Sequence, residues 1–339
     1  AMISNFGHIV KTYLSNFPKD DYPVLDTFKF VSIWLGLVLD QSQTSMRSMF
    51  KRLNLRGETV DISTFSKASK KRDVGVFREI IFSLKKELSK RKEIKQGELE
   101  IFPLDSTIVS ITSKLMWNLG FHQVKLFSGI NLSTGVPGGI VIHFGQGHDN
   151  KYGNETIEET PENGVAVMDR GFCDLQRIKR LQKENNKYHV LRIKNNIKLE
   201  KLANDNYMVG TGKNKIESRV VMFTHDGSEF RLVTNLPIES KELEVVGDEQ
   251  IAEIYKKRWQ IELLWKFLKM HLKLNRLIAK NENAIAIQIY SCIIAYLILK
   301  LLVIPKEAGT TMLDKLRYLQ AFMCEKISYV HWLRELALR

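Results

Sequence analysis

Acidic residues are in deficit in this chain of 339: 38 Asp and Glu face 51 Lys and Arg, leaving a formal charge of +13. A pI near 9.5 favours a polyanionic partner, nucleic acid or, less often, an anionic membrane surface. Charge alone does not choose between them. Cysteine is scarce as well. Cys173, Cys292 and Cys324 form no CxxC pair, which excludes a disulfide framework and a structural zinc site and fits a reducing cytosol. His122, His143 and His148 have no zinc spacing, and the His148-Asp149 pair in GQGHDNKY reads as a polar turn. The sequence identifies no basic partner for Cys173, which reads as an inert thiol. No GxxxxGK[ST] loop occurs, so no ATP requirement is visible. The opening AMISNFGHIVKTYLSNF lacks the sections of a signal peptide, and Ala1 ahead of Met2 reads as a cloning remnant.

Long apolar runs are also rare. The single one, Ala284 to Ile304, has nearly the ~20 residues that cross a bilayer. Gln288, Ser291 and Lys300 interrupt it and no second span accompanies it, so a core or dimer-facing helix is expected and no membrane partner.

What is present is a hydrophobic fraction of 44%, enough for one large or two to three ordinary domains. DTFKFVSIWLGLVL and VGVFREIIFSLKKEL carry apolar residues at helical spacing. The stretch between them outlines a helix, a turn at Arg56 and Gly57, and a second helix capped by Ser63 and bearing Lys67, Lys70, Lys71 and Arg72. That basic helix reads either as a DNA-contacting element or as a solvated face. From residue 99 the pattern turns to strands: LEIFPLDSTIVSI, HQVKLFSGINL, GGIVIHFG and GVAVMDRGF. Asp105 lies inside the first of these and Asp169 at the end of the last. A carboxylate there is costly unless it meets a cation or a hydrogen-bond donor, although Asp169 is also placed to cap the following helix. A second β-rich stretch follows, with Asp226-Gly227 as its hairpin turn. It reads as an insertion into the sheet, or as a small domain lying over its active face.

IYKKRWQIELLWKFLKMHL, from Ile254 to Leu272, mixes five cations with one carboxylate. Read as one helix, at 100° per residue, Tyr255, Arg258, Glu262 and Lys269 share a narrow stripe beside the apolar face, with Trp259 at its edge. An ordinary Arg258–Glu262 surface pair would explain part of the stripe, but neither the Tyr nor the Trp.

Tyr255, Arg258, Glu262 and Lys269 at these intervals resemble the YREK signature of DDE transposases of the insertion sequence 4 family. PLDST around Asp105, MDRGF around Asp169 and TNLP from Thr234 to Pro237 are similar to the family's blocks and stand in the same order. DISTFSKASKKRD is similar to its N-terminal domain, so the resemblance spans roughly residues 25 to 300.

The resemblance implies an α/β, RNase H-like mixed sheet with flanking helices, interrupted by a β-strand insertion and preceded by a helical N-terminal domain. The expected organisation is a DNA-binding domain over 1–96, the first part of the catalytic core over 97–183, the insertion over 184–246, core helices bearing the Glu over 247–304, and a helical tail, a candidate for dimerisation, over 305–339. Asp105, Asp169 and Glu262 take the positions of catalytic, metal-holding acids, for two Mg²⁺ ions per site with Mn²⁺ as substitute. Tyr255, Arg258 and Lys269 take the positions that contact transposon-end DNA. Trp259 has two readings, stacking on a displaced base or joining the core. The implied partners are double-stranded DNA with terminal inverted repeats, target DNA and a second copy of the chain. The implied location is the cytoplasm of a bacterial or archaeal cell, at the nucleoid when bound to DNA. Cut-and-paste transposition through a hairpin is the implied activity. A non-catalytic DNA-binding derivative and a metal-dependent nuclease are the competing readings.

Overall fold

The computed structural model describes residues 22–55, 59–91, 99–111, 116–117, 120–184, 187–237 and 246–323. The turn expected at Arg56 and Gly57, Cys324 and residues 324–339 of the tail lie outside them. The chain divides into two compact units: Ala1–Arg91, Val109–Gln123 and Lys266–Arg339 make one, and Lys92–Ile108 with Val124–Trp265 the other.

The first unit is helical. Helix α1 (Thr27–Leu39) starts where the Asp26 carboxylate accepts the Lys29 amide, 2.6 Å away, and is buried without a break from Phe30 to Leu39. Helices α2 (Met46–Leu55), α3 (Ile62–Lys71) and α4 (Gly75–Lys90) follow. The cap of α3 is Asp61, which accepts from the Ser63 and Thr64 amides; Ser63, expected as the cap, is already inside the helix, because the carboxylate two residues earlier reaches both orphan donors. Phe65 of α3 sits 5.4 Å from Phe30 and 5.3 Å from Trp34. Each such fully buried ring contributes about 1.5–3 kcal/mol.

The apolar run becomes α10 (Glu282–Leu301), packed against α1, α3 and α4. It is long and apolar enough to cross a membrane, yet 89% of its apolar window is buried inside the protein. Two of its polar interruptions are bonded within the unit: the wholly buried Gln288 accepts from the Ile278 amide and donates to the Arg276 carbonyl, and Ser291 donates to the Ile287 carbonyl.

Among the described residues the second unit holds one nine-stranded mixed sheet in the order β3-β2-β1-β4-β5-β9-β8-β7-β6. Strands β1 (Glu100–Ser110), β4 (Gly164–Met168) and β5 (Lys187–Arg192) run parallel, and β2 (Gln123–Asn131) is antiparallel to β3 (Val136–Phe144). Strands β6 (Leu199–Lys201), β7 (Tyr207–Val209), β8 (Ile216–His225) and β9 (Ser228–Thr234) continue it antiparallel. Short helices α5 (Asp149–Tyr152), α6 (Asn154–Glu158) and α7 (Leu175–Leu181) lie between strands. This is the mixed sheet with flanking helices expected of an RNase H-like DDE domain. The expected hairpin turn forms with Asp226 and Gly227 both at positive φ, 47° and 70°.

The β-rich stretch after residue 184 differs from a separate domain lying over the sheet. β5 and β9 occupy the sheet's interior and β8, β7 and β6 extend it. The TNLP block locks that join. Thr234 donates to the His189 carbonyl at 2.7 Å, while the Asn235 amide accepts from the His189 N–H and donates to the Lys187 carbonyl.

Strand alternation sends side chains to two cores, one on each face. Phe102, Leu104, Ala166, Met168 and Leu191 join one, and Ile101, Val165, Val167 and Val190 the other. The second face is covered by Ile251, Ile254 and Tyr255 of α8 (Asp248–Lys256).

Candidate active site

Asp105 and Asp169 extend that α8-covered face by two residues. β1 and β4 pair at a constant offset, Ile101 with Val165 and Pro103 with Val167. Continued by two residues, the offset brings Asp105 beside Asp169. Neighbouring strands stand ~4.8 Å apart, so the two acids rise on one face from adjacent parallel strands. Asp169 is the first residue past β4, and its carboxylate accepts the Arg170 amide of a 3₁₀ turn; Asp174, not Asp169, caps α7.

The single helix expected from Ile254 to Leu272 is two helices. Helix α8 stops at Lys256 and α9 (Trp259–His271) starts three residues later. Across the break the amides bond three residues back: Arg258 to Tyr255, Gln260 to Lys257 and Ile261 to Arg258. In such a 3₁₀ turn, side chains three apart eclipse. Tyr255 and Arg258 therefore stay on one side, and the stripe survives the break. Arg258 reaches Glu262 at 2.5 Å, with the side chains 17% and 30% exposed.

The charges are mutually felt. Burial pushes the Asp105 carboxyl up to about 6; the Ser106 amide and Arg258 pull it back, while Glu262 and Asp149 push it further up. Asp105 is thus a half-buried carboxylate whose charged form is disfavoured chiefly by loss of solvent. Tyr255, 7% exposed, is also raised, by burial first and then by Asp169. Burial works against the Arg258 charge, but Glu262, Tyr255 and Asp105 outweigh it and raise the group. Asp105 and Glu262 therefore share one electrostatic environment through Arg258, and Asp169 joins it through Tyr255.

Trp259 is 57% exposed, which rules out the core reading for its ring. Lys269 follows seven residues after Glu262, two turns along α9, and is half-buried. On α3, Lys67, Lys70 and Lys71 are exposed. Arg72, expected with them at a DNA surface, is turned inward. Its guanidinium donates to the Leu25 carbonyl and lies over the Tyr22 and Phe30 rings at 4.0 and 4.7 Å. Protein aromatics and a carbonyl hold that cation, so it is not displayed to a phosphate.

Two contributors escaped the sequence reading. Asp149, set aside as part of a turn, begins α5, pairs with Lys125 at 2.9 Å and acts on Asp105. Arg192 ends β5 on the same face, lies 3.9 Å over the Phe230 ring and bonds Tyr255. Neither belongs to a spaced motif, and only the sheet order brings them in.

Among the described residues, no three His, Cys, Asp or Glu side chains converge as a metal-binding group. Glu262 is turned to Arg258 and Asp169 to the Arg170 amide. The donor chemistry nevertheless fits a hard divalent cation: oxygen ligands only, one of them a half-buried carboxylate whose charge burial disfavours.

A mixed sheet with Asp105 on β1, Asp169 just past the neighbouring parallel β4 and Glu262 on α9 has the make-up of a DDE-type domain. A family model described as "Transposase DDE domain" matches residues 96–298, and the chain belongs to that family. It is 97% identical over 338 residues, 100% of each chain, to the Synechocystis sp. protein named "Putative transposase for insertion sequence element IS4SA". It is 29% identical over 219 residues to the Geobacillus stearothermophilus "Probable transposase for insertion sequence element IS5377", covering 58% of this chain and 55% of that one. Divalent-metal use goes with a DDE domain in general.

Proposed function

We propose that this protein is the transposase that mobilises an insertion sequence by cut-and-paste, cleaving DNA at the element's ends and joining the freed 3′ ends to target DNA. What supports the reading is the β1–β4 register, Ile101 with Val165 and Pro103 with Val167, which continued by two residues sets Asp105 beside Asp169, with the charge of Glu262 felt at Asp105. Asp105, Asp169 and Glu262 are the residues that would hold the metal. Two Mg²⁺ or Mn²⁺ ions, when bound, supply activation of a water or 3′-hydroxyl and stabilise the leaving oxygen.

The chain's own residues position the DNA. Arg258 has its guanidinium at Glu262 and offers it to the phosphate beside the cut. Tyr255 is held by Arg192 and Phe230 with its charge environment set by Asp169, and it orients the same strand. Lys269 holds the backbone further along, and the exposed Trp259 offers a stacking face to a base displaced when a hairpin closes. Lys67, Lys70 and Lys71 supply phosphate contacts from α3. Two ends must be held together for joining, so the working unit is a homodimer on DNA, in the cytoplasm at the nucleoid.

The test is incubation of the protein with Mg²⁺ and DNA carrying the element's flanking inverted repeats. Cleaved ends and joined products are expected. Cleavage without joining of a supplied 3′-hydroxyl end makes it a nuclease, and binding with neither product makes it a DNA-binding derivative.

A further inference from the structure

The helical unit contains a cleft of about 660 Å³, a size typical of ligand pockets (~300–1,000 Å³), that the reaction described above leaves unused. Its walls are the first turns of α2, α3 and α10 and the segment between α9 and α10. Arg47, Arg276 and Lys280 line it. Among the described residues these three cations make no side-chain hydrogen bond or ion pair, and all three are exposed. No carboxylate lines the cleft among the described residues; Asp61 and Glu282, nearest in sequence, stay outside the lining. Hydroxyls of Ser63 and Ser66 add donors, and Met46 and the exposed Ile62 give it apolar patches.

The walls are fixed by buried polar side chains. Lys273, 5% exposed, donates to the carbonyls of Leu37, Asp40 and Gln43, tying the segment after α9 to the α1–α2 turn. Gln288 holds Arg276 and Ile278 by their backbone. Asn283 of α10 donates to the Ser69 and Arg72 carbonyls at the end of α3. A preorganised groove that keeps three unneutralised cations together, in a chain already at +13, sustains self-repulsion that a polyanion relieves.

We propose that this cleft binds the phosphodiester backbone of duplex DNA, with Arg47, Arg276 and Lys280 on phosphates, Ser63 and Ser66 donating to phosphate oxygens, and the apolar patches against deoxyribose. Alternating charge and apolar surface fits a sugar-phosphate strand better than a lone anion. Lys67 and Lys70 stand one turn on from Ser63 and Ser66, on the same side of α3, and extend the track. The site joins residues from both ends of the chain, so α2 and α3 do not form it alone. It rests on the reading of the protein as one that acts on DNA.

The test is fluorescence anisotropy of the full chain with a labelled duplex across a salt series, without metal. Neutralising phosphates releases counterions, giving a slope of log K against log salt of about −0.9 per contact. The triple variant Arg47→Ala, Arg276→Ala, Lys280→Ala is expected to lose about 2.7 from that slope and roughly tenfold or more in affinity at low salt. Ser66→Trp fills the groove without altering charge and is expected to weaken binding likewise, with thermal unfolding unchanged in both variants. Wild-type affinity for Ser66→Trp, or an unchanged slope for the triple variant, overturns the proposal. So does a cleft that takes inorganic phosphate alone, seen as a melting-temperature rise in wild type but not in the triple variant while the DNA slope stays unchanged. Failure of the wild-type chain to bind any duplex would instead sink the broader reading.

Discussion

Arg258 holds the carboxylate of Glu262 at 2.5 Å across the junction of two helices. The pair links the cation proposed to meet a phosphate to the acid proposed to meet a metal. Glu262→Gln is expected to abolish both nicking and hairpin formation on labelled end DNA, with DNA binding intact. Arg258→Ala is expected to let the first nick proceed and slow the steps after it, so that nicked species accumulate on a denaturing gel. Equal loss of all products in Arg258→Ala would mean that the cation helps assemble the site itself.

Asp105→Asn is expected to trade activity for stability. The folded carboxyl sits at about 6, raised chiefly by burial, so its charged form costs stability above that pH and the cost fades as pH falls through it. The amide removes that cost. Cleavage should vanish while the midpoint of urea unfolding at neutral pH rises. Asp169→Asn, at an acid bonded to the Arg170 amide, should also lose cleavage but without the gain. Near wild-type cleavage by either variant removes that residue from the site.

His189 provides a pH dependence of opposite sign. It is wholly buried in β5, neither ring nitrogen has a hydrogen-bond partner among the described residues, and burial lowers its pKa to about 4. The unfolded side chain takes up a proton near 6.5, so the unfolded state binds more protons between those values. Stability contributed by the neutral ring is complete above about 6.5 and lost as pH falls towards 4, on the order of 3 kcal/mol in all. His189→Leu should flatten unfolding free energies measured between neutral pH and pH 5. An unchanged slope would place the titration elsewhere.

Lys273→Met should destabilise the helical unit by about 3 kcal/mol or more, because three buried carbonyls lose their shared donor. Calorimetric melting checks this. A loss below about 0.5 kcal/mol would show that water replaces the ammonium.

Much of this was legible in one dimension. Strand patterns in LEIFPLDSTIVSI and GVAVMDRGF put Asp105 inside one strand and Asp169 at the end of another, which is where β1 and β4 hold them. The helix stripe found Arg258 and Glu262 by an i, i+4 interval that the actual break preserved. Lost to sequence were relations set only by distant pairing. Nothing in KYHVLR announces that β5 lies inside the sheet beside β4, and so nothing announced Arg192. Arg72 misled for a related reason: a terminal helix cation looks solvated until Tyr22 and Phe30 are known to lie beneath it.

Helix α1, apolar from Phe30 to Leu39, finds its main partner in α10, some 240 positions later in the chain. On the ribosome, at ~5–20 residues per second, α1 therefore waits on the order of ten to fifty seconds before its cover exists. During that interval α1 has only early neighbours such as Phe65 of α3 and Phe77 of α4 to cover part of it. Nascent chains halted before α10 keep the rest of that apolar surface uncovered and are expected to be aggregation-prone. Assembly of this enzyme is in that sense all-or-nothing with respect to completion of its message.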